Sequence, residues 1–212
     1  MPQVHFQLYL ITDRSQAGDR SLSDVIRQAA RGGISAVQFR EKDLPLRVRF
    51  QLASEVQAIT KQYGMKFLIN DRIDLCLALD ADGVHLPSSG LPVGVARKIL
   101  GMDKWIGVSC HSLEEVQRGE NEGADFGLLG PIYDTPSKRP YGPPLGPERF
   151  REIKKATSIP LFAVGGIDLC RLEEIFSAGA DGIAVISAIG SSDDVLKRSR
   201  LFLEEIKRLR SV

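Results

Sequence analysis

The sequence predicts an α/β fold, a (β/α)₈ barrel of the TIM type that forms one domain over residues 1–212. Short apolar runs alternate with longer stretches of helical periodicity along the whole chain, which is typical of repeated βα units around a parallel sheet. Eight such units fit into 212 residues, a length that these barrels reach as one domain. No low-complexity stretch divides the chain. A doubly wound open sheet is the alternative architecture.

The strands are predicted from apolar runs of three to five residues that are rich in β-branched and aromatic side chains. In order, they cover residues 7–11, 36–39, 67–69, 83–86, 105–108, 126–129, 160–163 and 182–186. Helical periodicity is clearest in residues 23–30, 47–62, 113–122 and 172–178. The last helix is expected to be capped by Ser191 or Ser192, with Asp193 and Asp194 in its first turn.

Composition excludes several classes of function. The 28 basic and 27 acidic residues give a net charge of +1, so no overall field favours nucleic acid or an anionic membrane. The three cysteines are odd in number and lack a CxxC pair, which argues against a disulfide framework or a structural zinc site. The apolar run at the N-terminus is far below the roughly 20 residues of a membrane span. We therefore expect a cytoplasmic protein.

The polar residues that follow each strand are the candidates for function, because active sites of these barrels lie at the carboxyl ends of the strands. At the end of the second strand, alternation places Gln38, Arg40 and Lys42 on one face. Two cations and an amide at the barrel mouth suit an anionic or phosphorylated substrate. The alternative is a solvated, charged loop.

The third and fifth strands also end in polar residues. Asn70 and Asp71 follow the third strand, and Asp71 alone is better explained as a helix cap than as a catalytic group. The fifth strand leads to Ser109 and His111. Ser112 and Glu115 then form a capping box, which leaves His111 at the barrel mouth as a candidate proton shuttle.

Two further segments indicate phosphate binding. Residues 130–147 form a long loop rich in proline and glycine that contains Thr135, Ser137 and Lys138, and such loops are usually functional. Gly165 and Gly166 follow the seventh strand, and Ile186 and Ser187 end the eighth. The loops after strands 7 and 8 often hold phosphate in these barrels, whereas an isolated glycine pair would indicate only a tight turn.

Seven motifs, taken together and in this order, resemble the thiamine phosphate synthase family and its close relative, the thiazole tautomerase branch. They are VQFREKD, LINDRIDL, GVHL, GVSCHS, GPIYDTPSK, AVGGI and AVISAI. The resemblance covers essentially the whole chain. Synthases of this family join hydroxymethylpyrimidine diphosphate to a thiazole phosphate and release diphosphate with the help of Mg²⁺.

The resemblance implies roles for individual residues. Candidate catalytic residues are His111, Lys138 and Ser109. Candidate substrate-binding residues are Gln38, Arg40, Lys42, Asn70, Thr135, Ser137, Gly165, Gly166, Ile186 and Ser187. Asp71 would be a magnesium ligand only in a synthase. The implied partners are a phosphorylated thiazole and, for a synthase, a pyrimidine diphosphate, without nucleic acid or membrane; a homo-oligomer is left open.

One departure from the family affects the choice between its branches. After the GVHL motif, synthases usually continue with Gly, Gln, any residue and an Asp that contributes to magnesium binding, whereas this chain has Pro87, Ser88, Ser89 and Gly90. A missing carboxylate weakens Mg²⁺ binding. The sequence therefore favours a tautomerase, which moves a proton on a carboxythiazole phosphate with His111 as shuttle and needs no metal. The alternatives are a Mg²⁺-dependent synthase and a non-catalytic binder of thiazole or thiamine phosphate.

Overall fold

The computed structural model describes residues 3–135 and 143–211, and within these ranges eight parallel strands close into a barrel. Neighbours in the sheet are neighbours in the chain, and β8 pairs with β1 to complete the cylinder. The strands are β1 Leu8–Ile11, β2 Ala36–Phe39, β3 Lys66–Asn70, β4 Gly83–Leu86, β5 Trp105–Cys110, β6 Phe126–Leu129, β7 Leu161–Val164 and β8 Gly182–Val185. The predicted (β/α)₈ fold is confirmed, and each strand lies within two residues of its predicted bounds.

Helices connect the strands on the outside of the barrel. They are α1 Leu22–Arg31, α2 Leu46–Gln62, α3 Ile73–Ala78, α4 Val93–Leu100, α5 Leu113–Asn121, α6 Gly146–Lys155, α7 Leu172–Ser177, α8 Ser187–Gly190 and α9 Val195–Arg210. Short 3₁₀ turns occur at Arg14–Gln16 and Leu169–Arg171. In the parts of the chain that the structure describes, no helix has the length and apolar character needed to cross a bilayer.

Alternation along each strand divides the buried side chains into two layers. Outward residues such as Val37 and Phe39 pack against the helices, in the larger apolar core. Inward residues form a second cluster in which the rings of Phe6, Tyr9 and Phe126 pack at centroid distances of 5.2 to 5.7 Å. This aromatic cluster fills the barrel interior, so the functional cavity opens at the mouth.

The predicted cap of the last helix is wrong. Helix α9 begins at Val195, and the Asp194 carboxylate accepts a hydrogen bond from the backbone N–H of Lys197 at 2.9 Å. The hydroxyl groups of Ser191 and Ser192 instead donate to the carbonyl oxygens of Ser187 and Asp194. The carboxylate is the capping group because α9 begins at Val195, which makes Asp194 the N-cap residue and leaves both serines too early in the chain.

Candidate active site at the carboxyl mouth of the barrel

A cavity of about 450 Å³ opens at the carboxyl ends of the strands. It collects most of the predicted site residues from five separate segments. Predicted residues that line it are Gln38, Arg40, Lys42, Asn70, Ser109, His111, Thr135, Ile186 and Ser187. Ser137 and Lys138 lie outside the described residues, so their predicted roles stay predictions.

The end of β2 contributes two cations to this cavity. As predicted from the alternation, Gln38, Arg40 and Lys42 all line it. Within the described ranges, neither Arg40 nor Lys42 forms an ion pair, and the buried amide nitrogen of Gln38 has no hydrogen-bond partner. Burial lowers the pKa of Lys42, the Arg40 charge lowers it further, and Asp71 opposes both effects. Two cations that have no ion-pair partner within 4 Å among the described residues suit a polyanionic ligand.

The predicted cap at Ser112 forms, but Glu115 accepts from His111 rather than from Ser112, so only half of the predicted capping box is present and the other bond holds His111 at the mouth. The Ser112 hydroxyl accepts from the backbone N–H of Glu115 at 3.3 Å, and the Glu115 carboxylate accepts from the backbone N–H of His111 at 2.6 Å. The His111 ring contacts the carbonyl oxygen of Gly130 through Nδ1. A carbonyl oxygen only accepts, so Nδ1 carries the proton and Nε2 is the basic nitrogen of the neutral ring.

Sequence reasoning missed His85, which lies in the same cavity. Its Nε2 is 3.0 Å from the Ser109 hydroxyl oxygen, and the residue is only 1% exposed. A Cβ at Gly107 would lie 2.5 Å from His85 Nδ1, so glycine at that position makes room for the ring. Alternation in the GVHL strand could have indicated that His85 points inward, because Val84 and Leu86 belong to the outer core.

Asp71 does not cap the helix that follows it. Helix α3 starts after Arg72 and has no side-chain cap, because Asp71 adopts a left-handed backbone with φ of +65° and lies one residue too early. The Asp71 N–H donates to the carbonyl oxygen of His85 at 2.9 Å, which attaches this turn to β4. The predicted capping role is therefore corrected, and the carboxylate is available for other contacts near the mouth.

Gly90 lies directly beside this carboxylate. A Cβ at Gly90 would be 3.1 Å from Asp71 Oδ1, so a side chain at position 90 would start next to Asp71. Within the described ranges no group of three His, Cys, Asp or Glu residues could hold a metal, and Ser88 and Ser89 line the neighbouring cavity. Mg²⁺ is often held by one or two carboxylates together with substrate phosphates. Asp71 therefore fits a Mg²⁺ ion that the substrate also coordinates, as a weaker site than two carboxylates would form.

The turns after β7 and β8 form a second cleft of about 590 Å³. Gly165 and Gly166 have φ of +97° and +66°, and Gly166 and Ser187 line the cleft. Ser187 also lines the main cavity, so the two spaces meet there. The cleft further contains Arg171 and Arg198, which sequence reasoning missed because they come from a 3₁₀ turn and from α9.

Substitution of Gly165 by alanine is expected to weaken this turn. A Cβ there would lie 2.8 Å from Cα and Cβ of Pro131, and φ of +97° is strained for any residue with a side chain. We expect a loss of about 1–3 kcal/mol in the free energy of unfolding, measured by urea denaturation. Gly64→Ala is the control, since Gly64 also has positive φ but no atom within 4 Å of the added Cβ. An equal loss in both variants would contradict the crowding argument.

The closed barrel with a cavity at its carboxyl mouth that contains Arg40 and Lys42 has the architecture of the (β/α)₈ barrel enzymes. Comparison with known families specifies it further. The profile described as thiamine monophosphate synthase matches residues 8–189. The chain belongs to this family, which confirms the resemblance drawn from its motifs.

Individual relatives agree with this assignment. The chain is 43% identical to a thiamine-phosphate synthase of Clostridium novyi, over 93% of this chain and 97% of that protein. It is also 43% identical to one of Syntrophomonas wolfei, over 94% and 96%. A thiamine phosphate pyrophosphorylase structure from Pyrococcus furiosus superposes with a TM-score of 0.88 at 34% identity, covering 96% of each chain. These relatives favour the synthase alternative over the tautomerase that the missing carboxylate favoured.

Proposed function

We propose that this chain is a thiamine phosphate synthase, which joins hydroxymethylpyrimidine diphosphate to thiazole phosphate and releases diphosphate. The observation that carries the proposal is one cavity that contains two cations of β2 with no ion pair among the described residues, and that also meets the glycine cleft at Ser187. Two anionic substrates need two such subsites in contact. The names of the relatives support the same reaction.

The reaction needs charge stabilisation more than proton transfer. The bond between the pyrimidine methylene carbon and the diphosphate oxygen breaks, and its electron pair leaves with the diphosphate. The thiazole nitrogen then supplies its lone pair to the pyrimidine cation and forms the carbon–nitrogen bond. Groups that stabilise the departing anion lower the barrier, because positioned charges are worth more in a water-excluded site than in water.

In this proposal Arg40 and Lys42 bind the diphosphate, and Lys138, which lies outside the described residues, assists them. The pyrimidine is bound by Gln38, Asn70, Ser109 and Thr135, which line the cavity, and by Ser137, for which the role rests on the family resemblance alone. Four further predicted residues hold the thiazole phosphate: Gly165, Gly166, Ile186 and Ser187. The barrel supports this division, because only β1 lies between β2 and β8, and the cavity reaches the ends of both strands.

Mg²⁺ would be held by Asp71 and would neutralise charge on the departing diphosphate. The Asp71 turn also affects the neighbouring cation, since its carboxylate raises the pKa of Lys42 against the lowering effect of burial. Ser88 and Ser89 provide only neutral oxygens nearby. The absence of a carboxylate at Gly90 therefore predicts weak metal binding before the diphosphate arrives.

The proposal is tested by incubating the pure protein with both synthase substrates and Mg²⁺, beside a separate assay of carboxythiazole phosphate isomerisation. We expect thiamine phosphate and diphosphate in equal amounts. Isomerisation without any thiamine phosphate would identify a tautomerase instead. Binding of both ligands without turnover would identify the non-catalytic protein.

His111→Asn is expected to separate the two activities. Carbon–nitrogen bond formation requires no proton shuttle, so thiamine phosphate formation should fall less than about 10-fold. Proton transfer by a tautomerase would lose about 10²- to 10⁴-fold, the usual contribution of a general acid–base group. Steady-state rates of both reactions provide the measurement, and a large loss of synthesis would contradict the assigned chemistry.

Affinity for inorganic pyrophosphate is expected to decrease as the pH rises through the lowered pKa of Lys42. The cationic form of Lys42 binds the anion. Burial and the Arg40 charge lower the pKa of Lys42 below the ordinary lysine value of about 10.4, so the positive charge is lost at a lower pH. Titration calorimetry between pH 7 and 10 measures the decrease, and Lys42→Arg should shift it to higher pH. Lys66→Arg, at the opposite end of the barrel beside Asp82, is the control. Identical pH curves for the wild type and Lys42→Arg would contradict the prediction.

A further inference from the structure

Glu41 is a buried carboxylate between the two cations of β2. Its side chain is 2% exposed, whereas Arg40 and Lys42 on either side of it both line the cavity. Alternation along the strand directs Glu41 away from the cavity, towards the loop after β1. A buried charge is costly unless several donors compensate it, so its partners indicate what the residue does.

Three donors from that loop compensate Glu41. The Thr12 hydroxyl donates to Oε1 at 2.6 Å. The backbone N–H and the guanidinium group of Arg14 donate to Oε2 at 3.2 Å and 3.3 Å. Glu41 therefore ties the end of β2 to the residues that follow β1.

Thr12 links Glu41 to the backbone of Arg40 through its hydroxyl group. A carboxylate only accepts, so the single hydroxyl proton of Thr12 is committed to Glu41 and its oxygen is left to accept. The backbone N–H of Arg40 donates to this oxygen at 2.8 Å. The Thr12 N–H also donates to the carbonyl oxygen of Gln38 at 2.9 Å, which extends the β1–β2 pairing to the mouth.

We propose that Glu41 is a positioning residue: by orienting the Thr12 hydroxyl it holds the backbone at Arg40 extended, so that Arg40 and Lys42 both face the diphosphate subsite. The inference rests on the proposed function only for the identity of that subsite. The Thr12 hydroxyl, oriented by Glu41, keeps the chain extended beyond Phe39, where β2 ends, so that successive side chains continue to alternate between the two faces. Errors of about 1 Å in such positions reduce catalytic efficiency strongly.

Asp43 supplies a matched control. It also pairs with the Arg14 guanidinium, but its side chain is 66% exposed and it has no contact with Thr12 among the described residues. The Arg14 charge lowers the pKa of Asp43 to about 2. Asp43→Asn thus removes a carboxylate from the same arginine and leaves the link between Glu41, Thr12 and Arg40 intact.

The test measures binding of inorganic pyrophosphate by calorimetry for the wild type, Glu41→Gln, Thr12→Val, Thr12→Ser and Asp43→Asn. We expect Glu41→Gln and Thr12→Val each to weaken binding about 10-fold. The double variant should bind no more weakly than either single variant, because both substitutions break the same chain of hydrogen bonds from Glu41 through Thr12 to Arg40. Thr12→Ser should restore binding, and Asp43→Asn should leave it unchanged. In turnover assays KM for the diphosphate substrate should rise while KM for thiazole phosphate stays the same.

Several outcomes would overturn the inference. Normal pyrophosphate binding by Thr12→Val would do so even if Glu41→Gln failed to fold, and so would an equal rise of both KM values. Wild-type protein that binds no pyrophosphate would overturn it together with the diphosphate subsite. Protein that binds pyrophosphate with the expected Glu41 and Thr12 dependence, yet makes no thiamine phosphate, would support the positioning role and refute only the proposed function.

Discussion

Replacement of Asp71 by asparagine is expected to lower the rate of thiamine phosphate formation by about 10³-fold, which corresponds to about 4 kcal/mol of transition-state stabilisation. Asparagine tolerates the left-handed backbone that φ of +65° requires, so the turn should be kept while the charge is lost. Asp71 is the carboxylate beside Gly90. The neighbouring Ser88 and Ser89 offer only neutral hydroxyl groups, which are poorer magnesium ligands than a carboxylate. Stopped assays at saturating Mg²⁺ measure the loss.

Asp74→Asn is the control for this experiment. Asp74 lies three residues further on, is exposed, and pairs with Arg72. Its substitution should leave the rate within about 2-fold of the wild type, because an exposed ion pair contributes at most about 1 kcal/mol. Full Mg²⁺-dependent activity in Asp71→Asn would contradict the assignment of the metal site.

Gly90→Asp is expected to increase the affinity for the metal ion. The new carboxylate would start 3.1 Å from Asp71 Oδ1, although its Cβ would also lie 2.9 Å from the Pro87 ring, which must shift slightly. Two neighbouring carboxylates repel each other without a cation, so the pair should bind Mn²⁺ more tightly than Asp71 alone. Electron paramagnetic resonance of free Mn²⁺, without substrate, measures this independently of turnover.

The fold and much of the cavity could be predicted because both depend on local alternation. Apolar runs separated by helical segments define the eight strands, and the two-residue period of β2 places Gln38, Arg40 and Lys42 on one face. The cap at Ser112 is equally local, since Ser112 and Glu115 are three residues apart. These features follow from short stretches of sequence.

The remaining features depend on pairings between distant segments. The contact of His85 with Ser109 depends on the register of β4 against β5. The approach of Gly90 to Asp71 depends on a left-handed turn at Asp71, which an aspartate in the sequence does not predict. A capping aspartate and an uncapped one have the same local pattern. Arg198 reaches the glycine cleft from the last helix, which no periodicity indicates.

Replacement of Arg40 by glutamine is expected to reduce kcat/KM for the pyrimidine diphosphate by about 10³-fold, because a guanidinium can form two parallel charge-assisted hydrogen bonds to the leaving group. Among the described residues Arg40 has no ion pair to lose, and its backbone is fixed by Thr12, so stability should change little. Arg40→Lys keeps the positive charge but loses the two parallel donors of the guanidinium, so its activity should lie between those of Arg40→Gln and the wild type.

The control for Arg40 is Arg72→Gln, which removes a cation from the next loop of the same mouth. The Arg72 guanidinium is already neutralised by Asp74 and does not line the cavity, so its loss should leave kcat/KM nearly unchanged. A similar decrease in both variants would mean that the general positive charge of the mouth, rather than a directed contact, attracts the diphosphate. A large decrease confined to Arg40→Gln, with KM for thiazole phosphate unaltered, would place the leaving group at the end of β2.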